Sequence, residues 1–217
     1  MNSLIKKIVN RFKNKFSSTD YWEQRYKAGG NSGSGSYNQL ASFKADFINA
    51  FIYAYKINSA VEFGCGDGNQ LSLINYPTYK GLDVSPTSVK ICETKFLNDS
   101  TKSFQLYNPH TFKTEDFSEY EISLSLDVIY HLVETELFNL HLTHLFQSAS
   151  RFVIIYSTNF EEDQINHERN HHFTKWVEEN EPNWALIRLT ENPFKNETDL
   201  EKKSLSDFFI FAKKQVN

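Results

Sequence analysis

The sequence is short of the residues that several architectures depend on. Its 217 residues hold two cysteines, Cys65 and Cys92, with no C-x-x-C pair. A disulfide scaffold or a thiolate metal site needs more thiols at closer spacing, so a reducing cytoplasm is the compartment this cysteine usage fits. Mean hydropathy is -0.52 and no run of about 18 apolar residues occurs, which excludes a membrane-spanning helix. The N-terminus has cations but neither a continuous apolar stretch nor a small-residue cleavage site, so it does not read as a signal peptide. Positive charge is scarce in the body of the chain. The net charge is -4, yet residues 1–16 carry five cations (Lys6, Lys7, Arg11, Lys13, Lys15) and no acid, which leaves -9 on the other 201 residues. Such a body binds polyanions poorly, and nucleic acid is not the expected partner.

Aromatic side chains are plentiful: 19 Phe, 11 Tyr and 3 Trp are enough to build a core, so the chain is not disordered, and its length fits one domain. Leu4, Ile5, Ile8, Val9, Phe12 and Phe16 recur at helical spacing opposite the cations. The resulting amphipathic helix suits packing on its own domain or a partner chain, or weak attachment to an anionic membrane surface. Asp20 and Glu23 resemble a capping box opening a helix over Tyr21–Lys27. The stretch from Gly29 to Ser36 (GGNSGSGS) holds half of the chain's eight glycines. Too little chain precedes it for a linker between domains, so it reads as a lid whose backbone can approach a ligand closely.

Leu40, Phe43, Phe47, Phe51 and Tyr55 mark one face of a long helix. From Ser59 onward short apolar runs near 59–63, 78–82, 103–107, 121–126 and 151–157 alternate with helical stretches near 69–75, 85–96 and 134–147. Ser85-Pro86 supplies an N-cap and a first-turn proline. This alternation implies an α/β fold with a parallel sheet and helices on both faces. Trp184–Leu189 and Phe208–Lys213 have no convincing helix between them, which predicts an antiparallel pair at the sheet edge.

The chemistry concentrates after the first strand. In Glu62-Phe63-Gly64-Cys65-Gly66-Asp67-Gly68 an apolar strand runs into a G-x-G-x-G turn and then an expected helix, so backbone N–H groups face whatever lies above the strand. The spacing differs from the dinucleotide G-x-G-x-x-G, arguing for a ligand without a pyrophosphate. Fifteen residues beyond Gly68, Asp83 ends the second strand where a carboxylate can accept both hydroxyls of a ribose.

These residues resemble class I S-adenosylmethionine-dependent methyltransferases over roughly residues 37–215. Glu62 to Gly68 resembles their first motif, Asp83 their ribose-binding acid, and Ser125–Leu132 (SLDVIYHL) their fourth motif, where a strand ends beside the methyl group. The resemblance implies a Rossmann-like, mostly parallel seven-stranded sheet, with S-adenosylmethionine held by Glu62, Gly64, Cys65, Gly66, Asp83, Val84 and Asp127. A narrower resemblance joins Tyr21–Tyr26 with the Gly/Ser loop, Ser42–Ala45, Asp127–Val133 and His167-x-Arg169 before Phe173–Val177. These are similar to small bacterial methyltransferases of polysaccharide and modified-sugar biosynthesis, some thought to methylate phosphoramidate or phosphonate groups. Asn108 departs from the pattern, because similar sequences often carry an acid at the end of the third strand. The implied division is residues 1–36 as basic helix and lid, and 37–217 as the methyltransferase domain.

The expected reaction is O-methylation of a small sugar- or phosphoryl-type acceptor, with Tyr26, Tyr37, His167 and Arg169 as acceptor-binding residues and Arg25 and Arg169 facing an anionic group if the acceptor carries one. His131 is the candidate catalytic residue, either taking the proton of a hydroxyl or orienting an ionised oxygen. The competing readings are a catalytically silent methyltransferase-like scaffold and a zinc hydrolase built on His167-Glu168-x-x-His171. That H-E-x-x-H string has almost no apolar stripe to bury as a helix. His141-x-x-His144 reads as a surface or interhelix pair, and no metal is assigned.

Overall fold

The computed structural model describes residues 16–117 and 120–215. The amphipathic helix expected over residues 4–16 therefore lies, but for Phe16, outside the described residues.

Seven strands form one sheet: β1 (Ala60–Phe63), β2 (Tyr79–Asp83), β3 (Lys102–Leu106), β4 (Ile122–Leu126), β5 (Phe152–Ser157), β6 (Trp184–Thr190) and β7 (Asp207–Lys213). Their order is β3-β2-β1-β4-β5-β7-β6. The first five run parallel, while β7 pairs antiparallel with both β5 and β6. The expected α/β sheet with its antiparallel edge pair is present.

Strand alternation divides the core. Ala60, Ile122, Leu124, Ile154, Tyr156, Phe208 and Ile210 point to one face, which helix α2 (Asn38–Tyr55) covers with Ala45, Ile48, Phe51 and Ile52. Val61, Phe63, Val153, Ile155, Phe209 and Phe211 point to the other, covered by helix α4 (Thr135–Gln147) through Phe138, Leu142, Leu145 and Phe146 and by helix α5 (Phe173–Asn180) through Phe173 and Val177. Burying both faces is what lets the parallel strands read as unbroken apolar runs.

Helix α3 (Pro86–Lys95) starts where the sequence places it, with the Ser85 hydroxyl accepting from the Ser88 N–H at 3.0 Å. Other expectations are corrected. The helix expected at 69–75 is only a 3₁₀ turn over Leu71–Leu73. Gly68 sits at φ +69°, and Pro77 disfavours helical backbone at Tyr76, whose ring stacks on Tyr79 with centroids 5.0 Å apart. Too few residues remain between them for an α-helix. Helix α1 (Ser18–Lys27) is capped by Ser17, which accepts from the Asp20 N–H, and Asp20 is not its cap. Glu23 closes no box on α1. Its carboxylate accepts from the Ser85 hydroxyl at 2.5 Å, the Thr87 N–H at 3.2 Å and the Thr87 hydroxyl at 3.0 Å, which fastens α1 to the start of α3. Sequence reasoning passed over α5, eight residues with two apolar anchors.

Candidate functional site

Sheet order reverses between β1 and β4, and the loops at the carboxyl ends of β1, β2 and β4 surround the crevice opened there. Gly64 and Gly66 hold φ of +89° and +56°, and a Cβ at either would collide, with Val128 and with Ser32 respectively. The donors of this turn are already used. Gly64 and Cys65 N–H bond to Leu82 O at 2.7 and 3.1 Å, Gly66 N–H to Asp83 at 2.9 Å and Asp67 N–H to the Ser32 hydroxyl at 2.9 Å. A turn whose amides serve the protein has none to offer a phosphate, which agrees with the G-x-G-x-G spacing.

Asp83 is buried, accepts from Gly66 N–H and Ser85 N–H at 2.9 Å each, and is pushed up to about 6 by burial against the pull of those donors. Glu62, also buried, accepts from the Tyr79 hydroxyl at 2.8 Å and is pushed up to about 7, again by burial. The two share one cleft with Gly64, Cys65, Gly66, Val84, Asp127 and His131. Every residue expected to hold the cofactor is thus gathered there.

The Gly/Ser loop folds over this cleft. Ser32 N–H donates to Asp67 at 2.9 Å, the Tyr37 hydroxyl donates to the same Asp67 oxygen at 2.8 Å, and Asn69 donates to Ser36 O at 2.7 Å. Tyr26 reaches the Ser32 hydroxyl at 2.9 Å and lines the cleft built on the glycine turn. Arg25 ties the loop back through Asn31 O at 2.6 Å and lies over the Trp22 ring at 5.4 Å.

At the tip of β4, Asp127 takes φ +58° and its carboxylate meets Lys44 Nζ at 2.5 Å, the Tyr130 hydroxyl at 3.1 Å and the Ser206 hydroxyl at 3.2 Å. Lys44 is fully buried and its ammonium lies 5.2 Å from the Tyr156 ring centroid. His131 has Trp22 edge-on at 4.9 Å and His167 stacked at 5.2 Å, and burial, helped by His167, pushes it down to about 4. A second, polar cleft opens on the lid side, lined among others by Arg25, Tyr37, Tyr130, His167 and Glu168. The two clefts share Trp22, Ser32, Asp127 and His131.

Arg169 does not face this cleft. Its guanidinium bonds to Thr135 at 3.1 Å and Glu161 at 3.4 Å, and it lines neither cavity. The H-E-x-x-H string starts within a tight turn, in which Ile165 and Glu168 bridge around Asn166 at φ +57°, and continues as irregular chain. His171 turns away to stack on Phe138 and contact Leu132 O at 3.0 Å, so the helix a zinc hydrolase requires is absent from this segment. His141 and His144 are not a surface pair. Both are buried, His141 Nε2 on the Ser125 hydroxyl at 2.9 Å and His144 Nδ1 on the Tyr107 hydroxyl at 2.8 Å. Sequence reasoning missed Trp22, Ser32, Lys44 and Gln70 as site residues. They come from the chain before β1 or from the turn after it, and no spacing links them to the motif.

No protein-family model matches the sequence, and no curated protein matches it. Solved structures do match. The methyltransferase domain of bacterial CtHen1-C aligns with a TM-score of 0.64 at 18% identity, covering 82% of this chain and 100% of that one. Magnesium protoporphyrin IX methyltransferase (ChlM) from Synechocystis PCC 6803, with bound SAM, gives 0.63 at 15% over 93% of this chain and 100% of that one. An S-adenosylmethionine-dependent methyltransferase from Clostridium acetobutylicum ATCC 824 gives 0.59 at 9% over 79% and 91%. The fold is the Rossmann-like fold of class I methyltransferases.

Proposed function

We propose that the chain transfers a methyl group from S-adenosylmethionine to an oxygen of a small sugar- or phosphoryl-type acceptor. The observation that carries this reading is the meeting of two clefts at Trp22, Ser32, Asp127 and His131, one built on the glycine turn and the other roofed by the lid. The first cleft fits the cofactor. Asp83 keeps lone pairs beyond its two backbone donors for ribose hydroxyls. Val84, Tyr107, Pro109, Leu132 and Leu137 give an apolar wall suited to adenine. Gln70 lines the same cleft with a buried Oε1 that has no partner, an acceptor suited to an ammonium.

When bound, the cofactor supplies a methyl on an already activated sulfonium, so the chain's task is alignment and exclusion of water. The lid excludes water through its bonds to Asp67 and Asn69. His131, neutral above about pH 4, is a weak base and is better suited to orienting the acceptor oxygen. Arg25, Arg169 and Lys44 already serve protein acceptors, which favours a hydroxyl-bearing acceptor over an anionic one.

Calorimetry with S-adenosylhomocysteine tests the reading. Binding in the micromolar range, weakened at least tenfold (about 1.4 kcal/mol) in Asp83→Ala, is expected; no binding to the wild type overturns it. Labelled cofactor incubated with fractionated metabolites then identifies the acceptor.

A further inference from the structure

We propose that His131, His167 and Glu168 form a binding site for a divalent first-row transition cation in the lid-side cleft. One ligand atom from each lies within 4.8 Å of the others, and all three line that cleft. Residues 131 and 167 are far apart in sequence, but the backbone clips them together: Arg169 N–H bonds to Tyr130 O at 2.7 Å, and the Ile165–Glu168 turn presents His167 and Glu168 side by side, Nε2 to Oε1 at 3.6 Å.

The tautomer of His131 is also set. Its Nδ1 lies 3.4 Å from the backbone oxygen of His167, and a carbonyl can only accept, so Nδ1 carries the hydrogen and Nε2 keeps the lone pair. A ring nitrogen donating to a carbonyl while its other nitrogen stays free is the arrangement that orients histidine toward metals. Trp22 packs edge-on against His131 and holds that imidazole in place, while Tyr21 stacks on His167 at 4.5 Å. The rings now lie parallel within 11°, and an ion must sit in the plane of each ring it meets. His167 and Glu168, with 29% and 51% of their side-chain surfaces exposed, are the ligands free to turn.

Two nitrogens and one carboxylate oxygen select a borderline cation such as zinc or cobalt over magnesium, and leave positions open for water and a substrate oxygen. The ion would compensate the carboxylates of Glu168 and Glu201, which both line the cleft. Its role rests on the methyltransferase reading, although its binding does not. With the ion bound, an acceptor hydroxyl in one of the open positions would be acidified and would lose its proton by way of the polar lid-side cleft, away from the cleft of the glycine turn. The oxygen then forms its bond to the methyl carbon as the carbon–sulfur pair returns to sulfur, leaving a neutral thioether.

The experiment uses tag-free, chelator-stripped full chain titrated with Co²⁺, followed by visible absorption, and with Zn²⁺ and Mg²⁺ by calorimetry, with S-adenosylhomocysteine titrated separately into the same samples. One Co²⁺ or Zn²⁺ per chain at micromolar affinity is expected, at least about 10-fold weaker in both His167→Gln and Glu168→Gln, with Mg²⁺ weaker than either. No transition-ion binding below millimolar, or wild-type affinity in both variants, overturns the site. If S-adenosylhomocysteine binds while the ion does not, the metal proposal alone fails; the reverse result leaves the site standing and removes the methyltransferase reading.

Discussion

Burial drives Asp83 and His141 in opposite directions, and the two consequences separate by measurement. Asp83 rises to about 6, so its ionised form gives way as pH falls through that value. Affinity for S-adenosylhomocysteine is expected to drop by up to about tenfold per pH unit below 6, and to be weak and flat in Asp83→Asn; a flat wild-type profile between pH 5 and 8 removes Asp83 from ribose binding. The same shift has the contrary effect on the empty protein. A carboxyl raised in the fold contributes stability fully present below its ordinary value and lost as pH rises through about 6. His141 is pushed down to about 3, chiefly by burial. Its contribution is present above the ordinary histidine value of about 6.5 and is lost as pH falls from there toward 3. Urea unfolding at pH 7 and 5 should show the wild type losing about 2 kcal/mol that His141→Gln does not lose. Equal losses in both proteins would place the protonated ring in contact with water.

At the scale of elements, α1 belongs to the site through its first residue and its middle. Ser18 N–H and hydroxyl bond to Glu134 at 2.9 and 2.5 Å, the hydroxyl also lies 2.7 Å from His131 O, and Glu23 reaches the α3 N-terminus. The bonds from Ser85, Lys27 and Thr87 hold Glu23 down to about 2, so this fastening is expected to persist in mild acid. Glu23→Ala should cost about 1–2 kcal/mol in urea unfolding and weaken cofactor binding, because the donors of Ser85 and Thr87 lose their acceptor; an unchanged midpoint would show water replacing the carboxylate. The strands and the Ser85-Pro86 cap were legible in the sequence because short apolar runs and helix-start signals are local. Glu23 was misread for the opposite reason. Its three-residue offset from Asp20 imitates a capping box, and only the packing of α1 on α3 reveals what it caps. The stretch after Gly68 shows the same limit, since a helix was expected where the left-handed Gly68 and Pro77 bracket a single 3₁₀ turn.

The whole molecule joins a half that is continuous in sequence to one that is not. The floor of the first cleft was readable because Glu62, the glycine turn and Asp83 follow one another across β1 and β2, whereas the rest of its lining and the lid-side cleft draw on α1, the lid and the turn after β4, and the lid-side cleft also on His167 and Glu168. Lys44, on α2, pairs with Asp127, which lines both clefts. Lys44 is fully buried and Asp127 is 11% exposed, so Lys44→Met should leave a largely enclosed carboxylate without its counter-charge and cost about 3 kcal/mol, and Lys44→Met/Asp127→Asn should recover most of the loss; denaturation of the single and double variants checks this, and additive losses would mean the pair is not coupled. The sheet order carries one more consequence. Strand β7 is inserted between β5 and β6 although it follows both in the chain. During vectorial synthesis β6 leaves the ribosome with no neighbour to pair with, and the outer edge of β5 stays unpaired until residues 207–213 arrive. A stop codon just before Asp207 would therefore remove β7 from the sheet and leave β6 without a partner as well.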